Sequence, residues 1–117
     1  MEPIYDRNGR VVGWHGDKHI YHLNGSHAGV LDGENIYGHR GQHLGVFKNG
    51  LFRDHQGDVV AFKQGASGGP VLPEPSMAPL PPVPSRPPAP AVQSVPPVPA
   101  VPSADWAASS WPRFIGA

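Results

Sequence analysis

The sequence predicts an all-β fold: four β-hairpin repeats arranged about a pseudo-fourfold axis, followed by a disordered or polyproline tail. Three observations carry that reading. Residues recur at sixteen-residue intervals through the first 67 positions, each interval holds two turn signals separated by alternating runs, and every one of the 16 prolines except Pro3 lies from Pro70 onward.

Aligning the chain on Ile4, Ile20, Ile36 and Phe52 sets the register. The second position then holds all three tyrosines, Tyr5, Tyr21 and Tyr37, with Arg53 completing the column. The sixth holds Gly9, Gly25, Gly41 and Gly57, and the tenth holds Gly13, Gly29, Gly45 and Ala61. The repeats span 4–19, 20–35, 36–51 and 52–67, within a domain of residues 3–67.

Each sixth-position glycine follows Asn8, Asn24, Arg40 or Gln56. Asn-Gly is the strongest short hairpin signal, because both central residues of a type I′ turn take φ > 0. The spacing therefore predicts type I′ turns at Asn8-Gly9 and Asn24-Gly25. Beyond each turn the residues alternate, which places Val12/Trp14, Ala28/Val30, Leu44/Val46 and Val60/Phe62 on one face. Second turns are expected at Gly16-Asp17-Lys18, Asp32-Gly33-Glu34 and Lys48-Asn49-Gly50. A lone hairpin is marginal in water, so the four must pack together over the face carrying Trp14, Val30, Val46 and Phe62. The small tenth residue marks close approach to another backbone. One open twisted sheet or a closed ring would satisfy this pattern, and closure protects the edges.

Composition excludes several classes. Nine basic and nine acidic side chains cancel without forming a run of either sign, so there is no field to attract nucleic acid. Cysteine is absent, which removes disulfides and thiolate metal sites. The first residues lack the apolar core of a signal peptide, and no stretch approaches the roughly 20 apolar residues that span a bilayer. A cytoplasmic location is the resulting expectation.

The units, Ile/Phe-Tyr-x-x-x-Gly-x-x-x-Gly/Ala, end in Phe52-Arg53-Asp54-His55-Gln56-Gly57-Asp58 and lead into Ser67-Gly68-Gly69-Pro70. In this they resemble the small bacterial proteins called four-fold β-flower proteins, closely over residues 3–70 and more loosely to the C-terminus. The resemblance implies a flower of four hairpins about a pseudo-fourfold axis, and it supplies no activity and no catalytic residue. This tail has only Arg86 and Arg113 as basic residues, where relatives carry lysines. MORN repeats and the YD-type repeats of surface toxins also use Tyr and Gly in hairpins, but at longer periods.

All seven histidines lie in the repeats: His15, His19, His22, His27, His39, His43 and His55. Imidazole is a common ligand of zinc, copper and nickel. His27 and His43 share the eighth position of neighbouring repeats, which makes them the first candidates for a metal site. The competing reading is of polar, half-exposed strand residues. For nucleophilic catalysis the repeats offer only Ser26 and Ser67, without threonine or cysteine. Ser67-Gly68-Gly69 leads into a proline rather than a phosphate-binding helix, so no cofactor and no enzyme class follows.

Residues 68–103 are mainly Pro, Ala, Val and Ser, a composition that favours polyproline II and acts as a linker reaching on the order of 100 Å if straight. The stretch contains PxxP patterns at Pro81-Pro82-Val83-Pro84, Arg86-Pro87-Pro88-Ala89-Pro90 and Pro96-Pro97-Val98-Pro99, the form that SH3-like grooves accept. Residues 104–117 gather Trp106, Trp111, Phe114 and Ile115 into an aromatic anchor, placed either on the repeats or on another molecule. The functional expectation is a non-enzymatic scaffold or interaction module with an unidentified protein partner reached through the tail; the alternatives are a histidine-based metal-binding protein and an enzyme of unknown class.

Overall fold

A computed structural model describes residues 1–86, 88 and 91–116. It contains eight strands: β1 (Glu2–Tyr5), β2 (Val11–Gly16), β3 (His19–His22), β4 (His27–Asp32), β5 (Asn35–Gly38), β6 (His43–Lys48), β7 (Leu51–Arg53) and β8 (Val59–Phe62), followed by a short helix α1 (Trp111–Ile115). Each strand pairs antiparallel with its neighbours in sequence, and β8 returns to β1. The ring is thus closed, an eight-stranded barrel with one hairpin per quadrant. Closure rests on the pair Tyr5–Phe62, whose rings stack at 5.4 Å, and on Lys63, which bonds both Glu2 and His15 Nδ1. No helix among the described residues is long and apolar enough to cross a membrane.

The turns correct the sequence expectation. Only Gly9 and Gly25 of the two Asn-Gly pairs have positive φ, at 77° and 92°. The N–H of Gly9 donates to the Asp6 carbonyl, and the Asp6 N–H donates to the Arg10 carbonyl. This is a type I turn closed by a left-handed glycine, in which the residue before the glycine keeps negative φ. That explains why Arg40 and Gln56 serve as well as asparagine. The mirror-image geometry sits instead in the two-residue second turns, where Asp17, Gly33 and Asn49 have φ of 54°, 62° and 54°. Asn49 and Gly50 are both left-handed there.

The alternation is corrected too. Ile4 pairs with Gly13 and Tyr5 with Val11, so Val12 is an extra, unpaired residue, and the same shift recurs in all four hairpins. A bulge of this kind bends and twists the strand, which lets short strands close. It also turns the ninth residue inward. Ala28 and Val60, with Val12 and Leu44 against them, pack on Ile4, Ile20, Ile36 and Phe52 around the axis. Of the face expected to form the core, Trp14 and Phe62 are buried away from this cluster, whereas Val30 and Val46 are only half-buried.

Tenth-position glycines do mark close backbone approach. A Cβ on Gly13 would lie 2.8 Å from the Tyr21 carbonyl oxygen, and those on Gly29 and Gly45 would strike the carbonyls of Tyr37 and Arg53. Ala61 lies beside the seam, where β8 meets β1 through a single pair, and its methyl is accommodated. Gly29→Ala is therefore expected to destabilise the fold by about 1–3 kcal/mol, the range for forcing extra atoms into a packed interior, measured as a lower urea midpoint at unchanged m-value.

Candidate functional site

The tail does not extend away from the barrel as a spacer. Four serines recur every nine residues, Ser76, Ser85, Ser94 and Ser103, and the N–H of each donates to the carbonyl of a sixth-position glycine: Gly9, Gly25, Gly41 and Gly57, at 2.9, 2.9, 2.9 and 3.1 Å. Successive nonapeptides thus reach successive hairpins, and the tail makes one circuit of the barrel as a belt. The glycines are required here as well as in their turns. A Cβ on Gly25 would lie 2.7 Å from the Val83 carbonyl oxygen, and at Gly9, Gly41 and Gly57 it would meet the carbonyls of Glu74, Val92 and Val101, again nine residues apart. Pro81-Pro82-Val83-Pro84 and Pro96-Pro97-Val98-Pro99 lie on this belt; of the third proline motif, Pro87, Ala89 and Pro90 fall outside the described residues.

Arg53 joins the two ends of the belt. It is the one member of the second-position column that is not tyrosine, and it is 7 % exposed. Its Nη1 donates to the carbonyls of Gly57 and Ser103, each at 2.6 Å, and its Nη2 to Gly68 at 3.1 Å. One guanidinium thereby clasps residue 68, where the belt begins, and residue 103, where it closes. Ser103 Oγ also donates to Asp58 at 2.6 Å.

The belt turns one line of large apolar side chains fully to solvent. Val71, Met77, Leu80, Val83, Val92, Val95, Val98 and Val101 are 86–96 % exposed, and all fall in a single three-residue register. Three residues per turn is the period of polyproline II. The serines belong to a second register, together with Pro73, Pro82, Ala91 and Ala100, whose Cβ or ring atoms lie nearest the turn glycines.

The aromatic end folds back on the same chain. Trp111, Phe114 and Ile115 are buried with Ala107 in the axial cluster, Trp111 meeting Phe52 edge to face at 5.3 Å. Trp106 packs on Phe62, and its neighbours Asp105 and Ala107 bond the backbone of Val59. Pro112 lies in the first turn of α1, where its missing N–H costs nothing. These four side chains are thus engaged within the chain.

The structure places His27 and His43 in separate groups. His27 lies between His19 and His39, with nitrogen–nitrogen distances of 3.1 and 3.0 Å. His43 lies between His55 at 2.9 Å and Asn35 Oδ1 at 3.0 Å. Ring centroids in the three imidazole pairs are 5.1, 5.2 and 5.1 Å apart, so the rings meet nearly end to end. That is the geometry of N–H···N hydrogen bonds. A metal instead needs lone pairs that converge on a third point, and no group of three or more His, Asp or Glu side chains does so among the described residues. These contacts were missed in the sequence because they join the sixteenth, eighth and fourth positions of different units.

A family model described as the 4-fold beta flower protein matches residues 2–115. The chain belongs to this family. No curated protein and no solved structure matches it. The match runs through both the barrel and the belt of the flower to the end of α1.

Two outcomes follow from this geometry. Arg53→Ala leaves three carbonyls without their charged donor and is expected to cost about 2–3 kcal/mol, with both ends of the belt gaining hydrogen-exchange rate. Burial holds His27 and His43 below their ordinary value of 6.5, with the neighbouring imidazoles His19, His39 and His22, and His55, adding repulsion. The unfolded flower therefore binds more protons than the folded one as pH falls through 6.5, so stability is complete above that value and declines below it. His27→Val and His43→Val, which install the residue found at the same position in Val11 and Val59, are expected to flatten the fall in denaturation midpoint between pH 7 and pH 5.

Proposed function

We propose that this flower is a non-enzymatic interaction module whose recognition surface is the outward face of its belt. The observation that carries the reading is the line of large apolar side chains, in one three-residue register and almost wholly exposed, from Val71 to Val101. Exposed apolar side chains in runs, here Met77, Leu80 and Val83 and then Val92, Val95, Val98 and Val101, with Glu74 and Arg86 in the same register, mark interaction sites. The barrel acts as a former: it holds the proline-rich segment in one shape, so a partner does not have to bear the entropy of ordering it. The aromatic end, buried at the axis, serves the scaffold rather than the partner.

A photo-cross-linking residue placed in the native host at Val95 or Val98 tests this. Adducts from the belt positions, with none from Leu23 on the exposed barrel surface, are the expected result; equal labelling from both, or none from either, would overturn the reading.

A further inference from the structure

We propose that residues 80–86 are a docking site for a protein domain whose groove is lined with aromatic rings and flanked at one end by carboxylates, the SH3 type of polyproline-binding surface. The proposal rests on the belt being a recognition surface and adds the chemistry of its partner.

A polyproline II helix has three ridges. In the second quadrant of the belt one ridge is committed to the barrel: Pro82 packs beside Gly25, and the Ser85 N–H donates to the Gly25 carbonyl at 2.9 Å. The other two ridges face solvent. Leu80, Val83 and Arg86 form one of them, with Leu80 and Val83 at 93 and 91 % exposed, and Pro81 and Pro84 form the next, both exposed. The segment thus offers two apolar-proline pairs, Leu80-Pro81 and Val83-Pro84, followed by a cation one turn further along the apolar ridge. Aromatic-lined grooves take proline-rich segments in this extended form, and the spacer residues that such a groove would leave outside are the ones already turned to the barrel.

Charge decides the rest. Arg86 is the only cation between Lys63 and Arg113, and an arginine placed beside an apolar contact finds its best partner in a carboxylate fork. The other quadrants lack the full set. Glu74 stands where Val83 stands, Gln93 where Pro84 stands and Ala104 where Arg86 stands, while Val95-Pro96-Pro97-Val98-Pro99-Ala100-Val101, fifteen residues on in the same three-residue register, reproduces both apolar-proline pairs but puts valine in place of the cation. One complete site per chain is what the sequence of the belt allows.

The test is calorimetric titration of the full chain with a purified SH3 domain that binds Leu-Pro-x-Val-Pro-x-Arg peptides. The expected result is one domain bound per chain, at least tenfold weaker binding for Arg86→Glu, loss of binding for Leu80→Ser with Val83→Ser, and two domains per chain for Val101→Arg. Binding that ignores Arg86→Glu, or a domain that binds the free peptide but not the flower, would overturn the proposal. Belt adducts without SH3 binding would reject this groove chemistry alone, whereas loss of both would reject the recognition surface as well.

Discussion

One metric match organises the molecule: nine tail residues must cover the distance between one hairpin turn and the next. Nine residues of polyproline II, at about 3.1 Å each, extend about 28 Å, which is about a quarter of the perimeter of a disc 36 Å across. A shorter unit would not reach the next glycine carbonyl, and a longer one would buckle away from it. Because the seating bond comes from a backbone N–H, the seating residue cannot be proline, and serine interrupts the prolines at Ser76, Ser85, Ser94 and Ser103 for that reason. The sixth-position glycine serves the same match from the other side. It takes positive φ to close its turn, and its missing Cβ makes room for a belt carbonyl.

A circuit of four equal units still needs a beginning and an end, and the departures from fourfold symmetry collect where these meet. Arg53 replaces tyrosine in the quadrant where residues 68 and 103 come together. Phe52 replaces isoleucine in the same unit and gives Trp111 an aromatic edge to pack on. Position three shows a related substitution. Asp6 and Asp54 each bond two backbone N–H groups of their turn, and where Gly38 supplies no carboxylate, Gln42 folds into the vacant space and accepts from the Arg40 N–H. The turn survives because the acceptor, not the residue, is what the backbone requires.

Much of the barrel was legible from single columns. The sixteen-residue register set out four hairpins of two strands each, and the tenth-position glycines located the backbone contacts between units, because both depend on residues a fixed distance apart. The bulge was not legible. Val12, Ala28, Leu44 and Val60 look like ordinary members of an alternating strand, and only the pairing of Ile4 with Gly13 and Tyr5 with Val11 shows them to be extra. The belt was legible in principle but hidden by composition. Its serines repeat as regularly as the glycines they meet, yet a segment so rich in proline invites a reading by content rather than by period. The aromatic end could not be assigned from sequence, since the surface that receives Trp111 and Phe114 exists only after Ile4, Ile20, Ile36 and Phe52 have been brought to one axis.

Seating the belt does not explain its outer face. The bonds that hold it come from serine N–H groups, from Arg53 and from the contact of its inner ridge with the turn glycines, and none of these involves the side chains of Val83, Val95 or Val98. Polar residues at those positions would seat equally well, because side chains this exposed contribute no burial to the folded state. A line of valine, leucine and methionine is therefore a departure from what stability alone requires. Covering that line would remove apolar surface from water, worth roughly 25 cal/mol per Å², and a belt seated on the barrel along its inner ridge offers the covering surface a ligand already in its bound form.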